Sequence, residues 1–150
     1  MSGTNAVAVK KELIRRLGLE SGLSGVQVVY LLDARDIRRE CVYGGKITGP
    51  VEQAAMRPVA ARSLREEHAL INVHVRVLTP GGLDSTAEER AAALAGVVFN
   101  VVAADPTLAG AVPGLLDLAV VAEEYECGPA DDTSAIAIAT LQLLAHSMLT

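Results

Sequence analysis

Aromatic residues are scarce in this sequence. They make up 3% of its 150 residues, with no Trp and with Phe99 as the single Phe, although 51% of the chain is hydrophobic. The length suits one domain, which we place at residues 1–150. Its core must consist of Val, Leu, Ile and Ala, which bury less area per residue than aromatic rings do. We therefore expect contacts between subunits to supply part of the stability.

A basic face is also lacking. The formal net charge is -5 and the sequence pI is about 5.1. The one local concentration of arginines, between Arg35 and Arg39, is interrupted by Asp36. Proteins that bind nucleic acid tightly usually present a cluster of positive charge. The composition disfavours such binding, but it is compatible with a surface past which DNA slides without sticking.

Cysteine is rare too, with two residues that are far apart, Cys41 and Cys127. Such a pair forms no disulfide framework, and we expect both thiols to be small buried groups. The N-terminal residues lack the basic start and apolar run of a signal peptide. No apolar stretch is long enough for a bilayer. We therefore expect no membrane partner.

Catalytic and metal-binding motifs are not apparent. Gly44-Gly45-Lys46 lacks the first glycine and the final Ser or Thr of a phosphate-binding loop, and no nucleophile elbow or C-x-x-C motif occurs. His68 and His74 share a strand face but lie about 20 Å apart, and no carboxylate is recognised at ligand spacing on that face. The acidic residues between Glu123 and Asp132 match no calcium loop. We expect no catalytic residue, no cofactor and no metal.

The regular patterns present are those of an α+β domain. Side-chain periodicity predicts helices over Thr4–Leu17 and Asp84–Ala104. Thr4 or Asn5 is expected to cap the first, and a capping box of Ser85 with Glu88, or alternatively of Thr86 with Glu89, is expected to start the second. The segment Gln53–Ser63 is ambiguous because Pro58 lies within it. Alternating or apolar patterns predict strands over Val26–Leu32, Glu40–Thr48, Glu67–Leu78, Asp117–Cys127 and Ser134–Met148, the last with a helix as the alternative for its second half. We predict a mostly antiparallel sheet of five or six strands, with two main helices on one face.

Three charged residues, Arg65-Glu66-Glu67, stand at the start of the clearest strand. They form either a solvated local ion pair, worth about 0–1 kcal/mol, or a contact between subunits. Arginine with carboxylates is good interface chemistry when partly desolvated. Both interpretations remain open on the sequence.

The order of these segments resembles a known family. The shared segments are Gly25-Val26-Gln27-Val28, Arg39-Glu40 before Val42-Tyr43-Gly44-Gly45, Arg65-Glu66-Glu67 before the alternating strand, Thr86-Ala87-Glu88-Glu89-Arg90-Ala91, Asp105 to Val112, and the closing strand from Ser134 to Leu144. From about Leu13 to Leu144 the chain resembles the small tail terminator proteins of long-tailed, siphovirus-type bacteriophages, particularly those of actinobacterial hosts. Pro58 and the lack of Trp depart from that pattern.

The resemblance implies a structural virion protein and not an enzyme. Such proteins form a ring, usually a hexamer, that caps the head-proximal end of the tail tube, ends tube polymerisation and joins the tail to the head-tail connector or head-closure protein. The ring would be assembled in the host cytoplasm and reside at the tail–neck junction of the virion. DNA would pass through its channel without specific binding, and Asp33, Asp36, Glu123 and Glu124 are candidates for lining that channel. The alternatives are another neck component, such as a head-closure or tail-completion protein, and a small cytosolic enzyme or ligand-binding domain.

Overall fold

The computed structural model describes residues 3–55 and 64–149, with side chains over 3–49 and 66–149. Pro58 and the rest of the ambiguous segment after Ala55 lie outside the described residues. The elements, in chain order, are α1 Ala6–Leu19, β1 Gln27–Val29, β2 Glu40–Ala55, β3 Leu64–Pro80, α2 Thr86–Ala104, β4 Leu115–Pro129 and β5 Ser134–Leu149. Short 3-10 turns cover Ser21–Leu23 and Leu108–Gly110.

The described strands form one five-stranded sheet in the order β1-β2-β3-β5-β4. β1 runs parallel to β2, and every other neighbouring pair is antiparallel. The apolar faces of α1 and α2 belong to one continuous core with the sheet, so both helices cover the same sheet face. The predicted α+β fold is confirmed.

The core is aliphatic, as the composition predicts. Alternate residues of β3 and β5 point toward the helices, and register pairs such as Ile71↔Leu143 and Val73↔Leu141 are completely buried. Phe99, the single phenylalanine, lies outside this core with 44% of its surface exposed. The intervening residues of β3 and β5 lie on the opposite sheet face, against which neither helix packs.

β5 is a strand along its whole length, so the helical alternative for its second half is wrong. It pairs with β3 without a break from Ser134 to Leu149, and with β4 on its other side. From Ala135 onward, burial alternates at every residue. Packing of a half-buried pleated surface outweighs the weak strand preference of its alanines.

The helix termini partly follow the predictions. Thr4 Oγ1 accepts a hydrogen bond from the Ala6 N–H at 3.0 Å, which confirms Thr4 as a cap of α1. At α2 the capping box is wrong: Asp84 Oδ1 accepts from the Thr86 N–H at 2.9 Å, and Ser85 Oγ donates to Glu89. Within the described residues, neither helix has the length and apolarity needed to cross a membrane.

β2 continues through the glycine pair Gly44-Gly45 and past Thr48, where the sequence pattern predicted its end. A register shift between Gly44 and Ile47 absorbs the pair as a bulge. Lys10 of α1 donates a 2.6 Å hydrogen bond to the Gly45 carbonyl, and its ammonium lies 4.3 Å from the centre of the Tyr30 ring. A Cβ at Gly44 would collide with Lys10 and with the Tyr30 carbonyl oxygen. Glycine therefore lets a buried lysine approach the strand.

Candidate functional site

The predicted subunit contact, Arg65-Glu66-Glu67, is divided between the two faces of β3. Glu67 points into the helix-covered side and is completely buried. Its Oε1 accepts a 2.8 Å hydrogen bond from the Asn5 N–H, next to the first turn of α1, where a negative charge is favourable. Glu67 is thus corrected from a contact with another subunit to a contact within the fold. The Glu66 contact stays a prediction, and the side chain of Arg65 lies outside the described residues.

The four predicted channel acids are exposed but are not brought together. Asp33 and Asp36 lie in the connection after β1, where Arg35 bonds to Asp33 and lowers the pKa of that carboxyl group. Glu123 and Glu124 lie on β4. β1 and β4 are opposite edges of the sheet, four strand spacings or about 19 Å apart. Their channel role stays a prediction.

Two long strand edges remain open within the described sheet. β1 pairs only with Cys41, Val42 and Tyr43, so β2 from Gly44 onward has β3 as its single neighbour. β4, at the other side, has β5 as its single neighbour over 15 residues. Unpaired N–H and C=O groups along such edges are templates for pairing with another chain.

The β4 edge is both acidic and partly apolar. Its exposed segment 121–127 includes Glu123, Glu124 and Glu126. Val121 is 51% exposed on the same strand, and Phe99 of α2 borders a groove of about 230 Å³ between α2 and β4. This combination of an open edge and apolar side chains is typical of surfaces that become covered.

A second cluster of functional side chains lies on the sheet face opposite the helices. His68 of β3 stands directly across from His146 of β5, and Glu66 precedes His68 by two residues on the same face. Glu66 Oε1 is 2.5 Å from His146 Nε2 and 3.4 Å from His68 Nε2. The two imidazole rings are stacked 4.4 Å apart at an interplanar angle of 11°. Both rings therefore direct a nitrogen at one carboxylate oxygen.

The reasoning that no carboxylate accompanies His68 on its face is wrong. The strand was expected to start at Glu67, but β3 begins at Leu64 and so includes Glu66. The E-x-H spacing would have revealed this pair, since alternate strand residues share a face. The position of His146 beside His68 depends on the pairing of β3 with β5, which the sequence pattern does not specify.

His74 belongs to a separate environment on the same face. Its Nδ1 lies 2.9 Å from Thr140 Oγ1, and its ring centre is 5.1 Å from that of Tyr43. Burial and the nearby Lys10 ammonium lower the pKa of His74. As its spacing predicts, His74 is not part of the cluster that contains His68.

The two cysteines differ in their surroundings. Cys41 is completely buried, and burial raises the pKa of its thiol. Cys127 is exposed on β4, so the expectation that both are buried is wrong for this residue. An edge strand leaves even its small side chains in solvent.

Comparisons with known proteins identify a relative in fold. No protein-family model and no curated protein matches the sequence. The chain is similar to a chain of the solved structure described as "Virion of native gene transfer agent (GTA) particle", with a TM-score of 0.60 and 15% sequence identity. The similarity covers 99% of this chain and 100% of that chain. The architecture from α1 to β5 is thus a fold that also occurs in a chain of a virion particle.

Proposed function

We propose that this protein is a structural subunit of a phage-like virion and not an enzyme. The observation that carries the proposal is the fold similarity to a chain of a virion particle, which extends over 99% of this chain and the whole of the other. The virion is accordingly the proposed location.

Within the virion, the proposed role is that of a tail terminator at the tail–neck junction. The support is the resemblance of its segment order to that family, together with the fold similarity. The protein would form a ring, hexameric as in that family, on the head-proximal end of the tail tube. It would end tube polymerisation and bind the tail tube protein on one face and the head-tail connector on the other.

The two open sheet edges supply a physical route to such a ring. The edges are unlike one another, so pairing of the β4 edge of one subunit with the β2 edge of the next is a head-to-tail contact. Head-to-tail contacts of this kind close into rings when the rotation per subunit permits it. Strand pairing between chains gives affinity through main-chain hydrogen bonds.

Charge on the two edges favours the same arrangement. β4 carries Glu123, Glu124 and Glu126 in its exposed segment, whereas the exposed charged side chain described on the open part of β2 is Lys46. Opposite charges on the β4 and β2 edges fix the orientation of the interface between them. The like charges on two β4 edges disfavour pairing of β4 with β4. Arg65 and Glu66 remain candidates for further contacts. The net charge of -5 accords with a channel from which DNA phosphates are repelled.

A matched pair of substitutions tests the ring. Val121 on the β4 edge and Val7 on α1 are each 51% exposed, so a glutamate at either position has a similar effect on the isolated chain. Val121→Glu should abolish rings in electron micrographs and reduce the mass measured by light scattering to that of smaller species. Val7→Glu should leave rings intact. Loss of rings with Val7→Glu alone would overturn the assignment of the sheet edges.

Mixing the protein with tail tubes tests the terminator role. Tubes from a related phage of an actinobacterial host should acquire a cap at one end and should stop elongating. Rings that ignore tubes but bind the head connector would instead identify another neck component. Compact particles that bind neither would contradict the virion role.

A further inference from the structure

We propose that Glu66, His68 and His146 form a binding site for a divalent transition-metal ion, with Zn²⁺ as the best-fitting ion. The cluster lies on the sheet face, away from the open edges that carry the main proposed ring contacts, and Glu66 is its one member that is also a candidate for a subunit contact. The metal site therefore stands or falls independently of the virion role.

The distances in the cluster are close to those of a zinc site. Ligand atoms about 2.1 Å from a tetrahedral zinc ion lie about 3.4 Å from each other. The separation of His68 Nε2 from Glu66 Oε1 is 3.4 Å, and all three ligand atoms lie within 4.8 Å of one another. The 2.5 Å contact between His146 Nε2 and Glu66 Oε1 must widen when a metal ion takes the place of the hydrogen bond.

The backbone already holds the three ligands in place. β3 is hydrogen-bonded to strands on both sides, and β5 likewise. His68 and His146 are register partners, so their side chains leave the sheet next to each other. Ligands on paired central strands need little ordering when an ion binds, and rigid elements give more precise sites than loops do.

The donor set and surroundings define the class of ion. Two imidazole nitrogens and one carboxylate oxygen suit Zn²⁺ and its neighbours among the transition metals better than Ca²⁺ or Mg²⁺. The three side chains are each 30–33% exposed, so an ion can reach them and a fourth position remains for water or another ligand.

Metal titration of single-site variants tests this proposal. Zn²⁺ binding is measured by competition with a chromophoric chelator, and Co²⁺ absorption spectra report the coordination geometry. The wild-type chain should bind one Zn²⁺ and give the intense visible bands of tetrahedral Co²⁺. Zn²⁺ binding should weaken by more than about 100-fold in each of the variants Glu66→Gln, His68→Asn and His146→Asn. This loss is larger than the usual cost of removing a residue that only orients a metal ligand.

His74→Asn provides the matched control, because it removes the remaining histidine from the same strand face. This variant should bind Zn²⁺ like the wild type, and Zn²⁺ should raise the melting temperature of both. Imidazole nitrogen NMR signals give a readout independent of stability: those of His68 and His146 should shift on binding, and those of His74 should not. Absence of binding in the wild type, weak binding that all variants share, or loss of binding in His74→Asn would overturn the site.

Discussion

Replacing glycine by alanine at Gly96 and at Gly44 should change stability in opposite directions. Gly96 lies inside α2, and an added Cβ would have no atom within 4 Å to meet. At Gly44 the added Cβ would lie 2.9 Å from the Tyr30 carbonyl oxygen and would collide with Lys10. The same substitution restricts the unfolded chain in both variants, so the difference between them isolates the folded state.

The magnitudes follow from these surroundings. Alanine is favoured over glycine in a helix interior by about 0.8–1.0 kcal/mol, which is the gain expected for Gly96→Ala. At Gly44, overpacking costs about 1–3 kcal/mol and outweighs the entropy gain of about 0.4–1 kcal/mol. We expect a net loss of about 1–2 kcal/mol, because Lys10 is held by its bond to Gly45 and cannot easily withdraw.

Thermal unfolding followed by circular dichroism measures both effects. The unfolding entropy of a chain this long is about 0.3 kcal/mol per kelvin, so 1 kcal/mol corresponds to about 3 °C. Gly96→Ala should melt about 3 °C higher than the wild type, and Gly44→Ala about 3–6 °C lower. Protein concentration must be equal in all samples, because subunit association also raises the melting temperature. A Gly44→Ala variant as stable as Gly96→Ala would refute the close approach of α1 to β2.

Two further predictions concern ionisation and thiol accessibility. The hydrogen bond from Arg15 holds the pKa of Glu12 at about 2, below its usual 4.5. The stabilisation is therefore complete above pH 4.5 and is lost as the pH falls toward 2. Glu12→Gln should lower the unfolding free energy by about 0.5–1 kcal/mol at pH 7. Urea titrations of both proteins should show this difference vanishing near pH 2. A difference in unfolding free energy that stays constant with pH would contradict the pairing of Glu12 with Arg15. In the unassembled chain a thiol reagent should label one cysteine rapidly, and Cys127→Ser should remove that reaction, whereas fast labelling of Cys41 would show that the core is open.

The local elements were largely predictable because their causes are local. The alternation in β3 and the apolar stripe of α2 specify a strand and a helix from side-chain spacing alone. Errors occurred where competing local signals were close in strength, as at the N-terminus of α2, where Asp84 accepts a hydrogen bond from the Thr86 N–H and Ser85 donates to Glu89. The exposure of Cys127 was missed for a different reason: a strand pattern does not say whether the strand lies at an edge.

The sequence by itself determined the fold class and the aliphatic core, since these depend on composition and on periods of two and 3.6 residues. Tertiary structure alone decided which strands became neighbours. Pairing of β3 with β5 brings His146 to His68 across 78 positions of sequence and leaves the edges of β2 and β4 open. Such pairings depend on the packing of whole elements, so the histidine–glutamate cluster and the two unlike edges emerge only when the sheet is assembled.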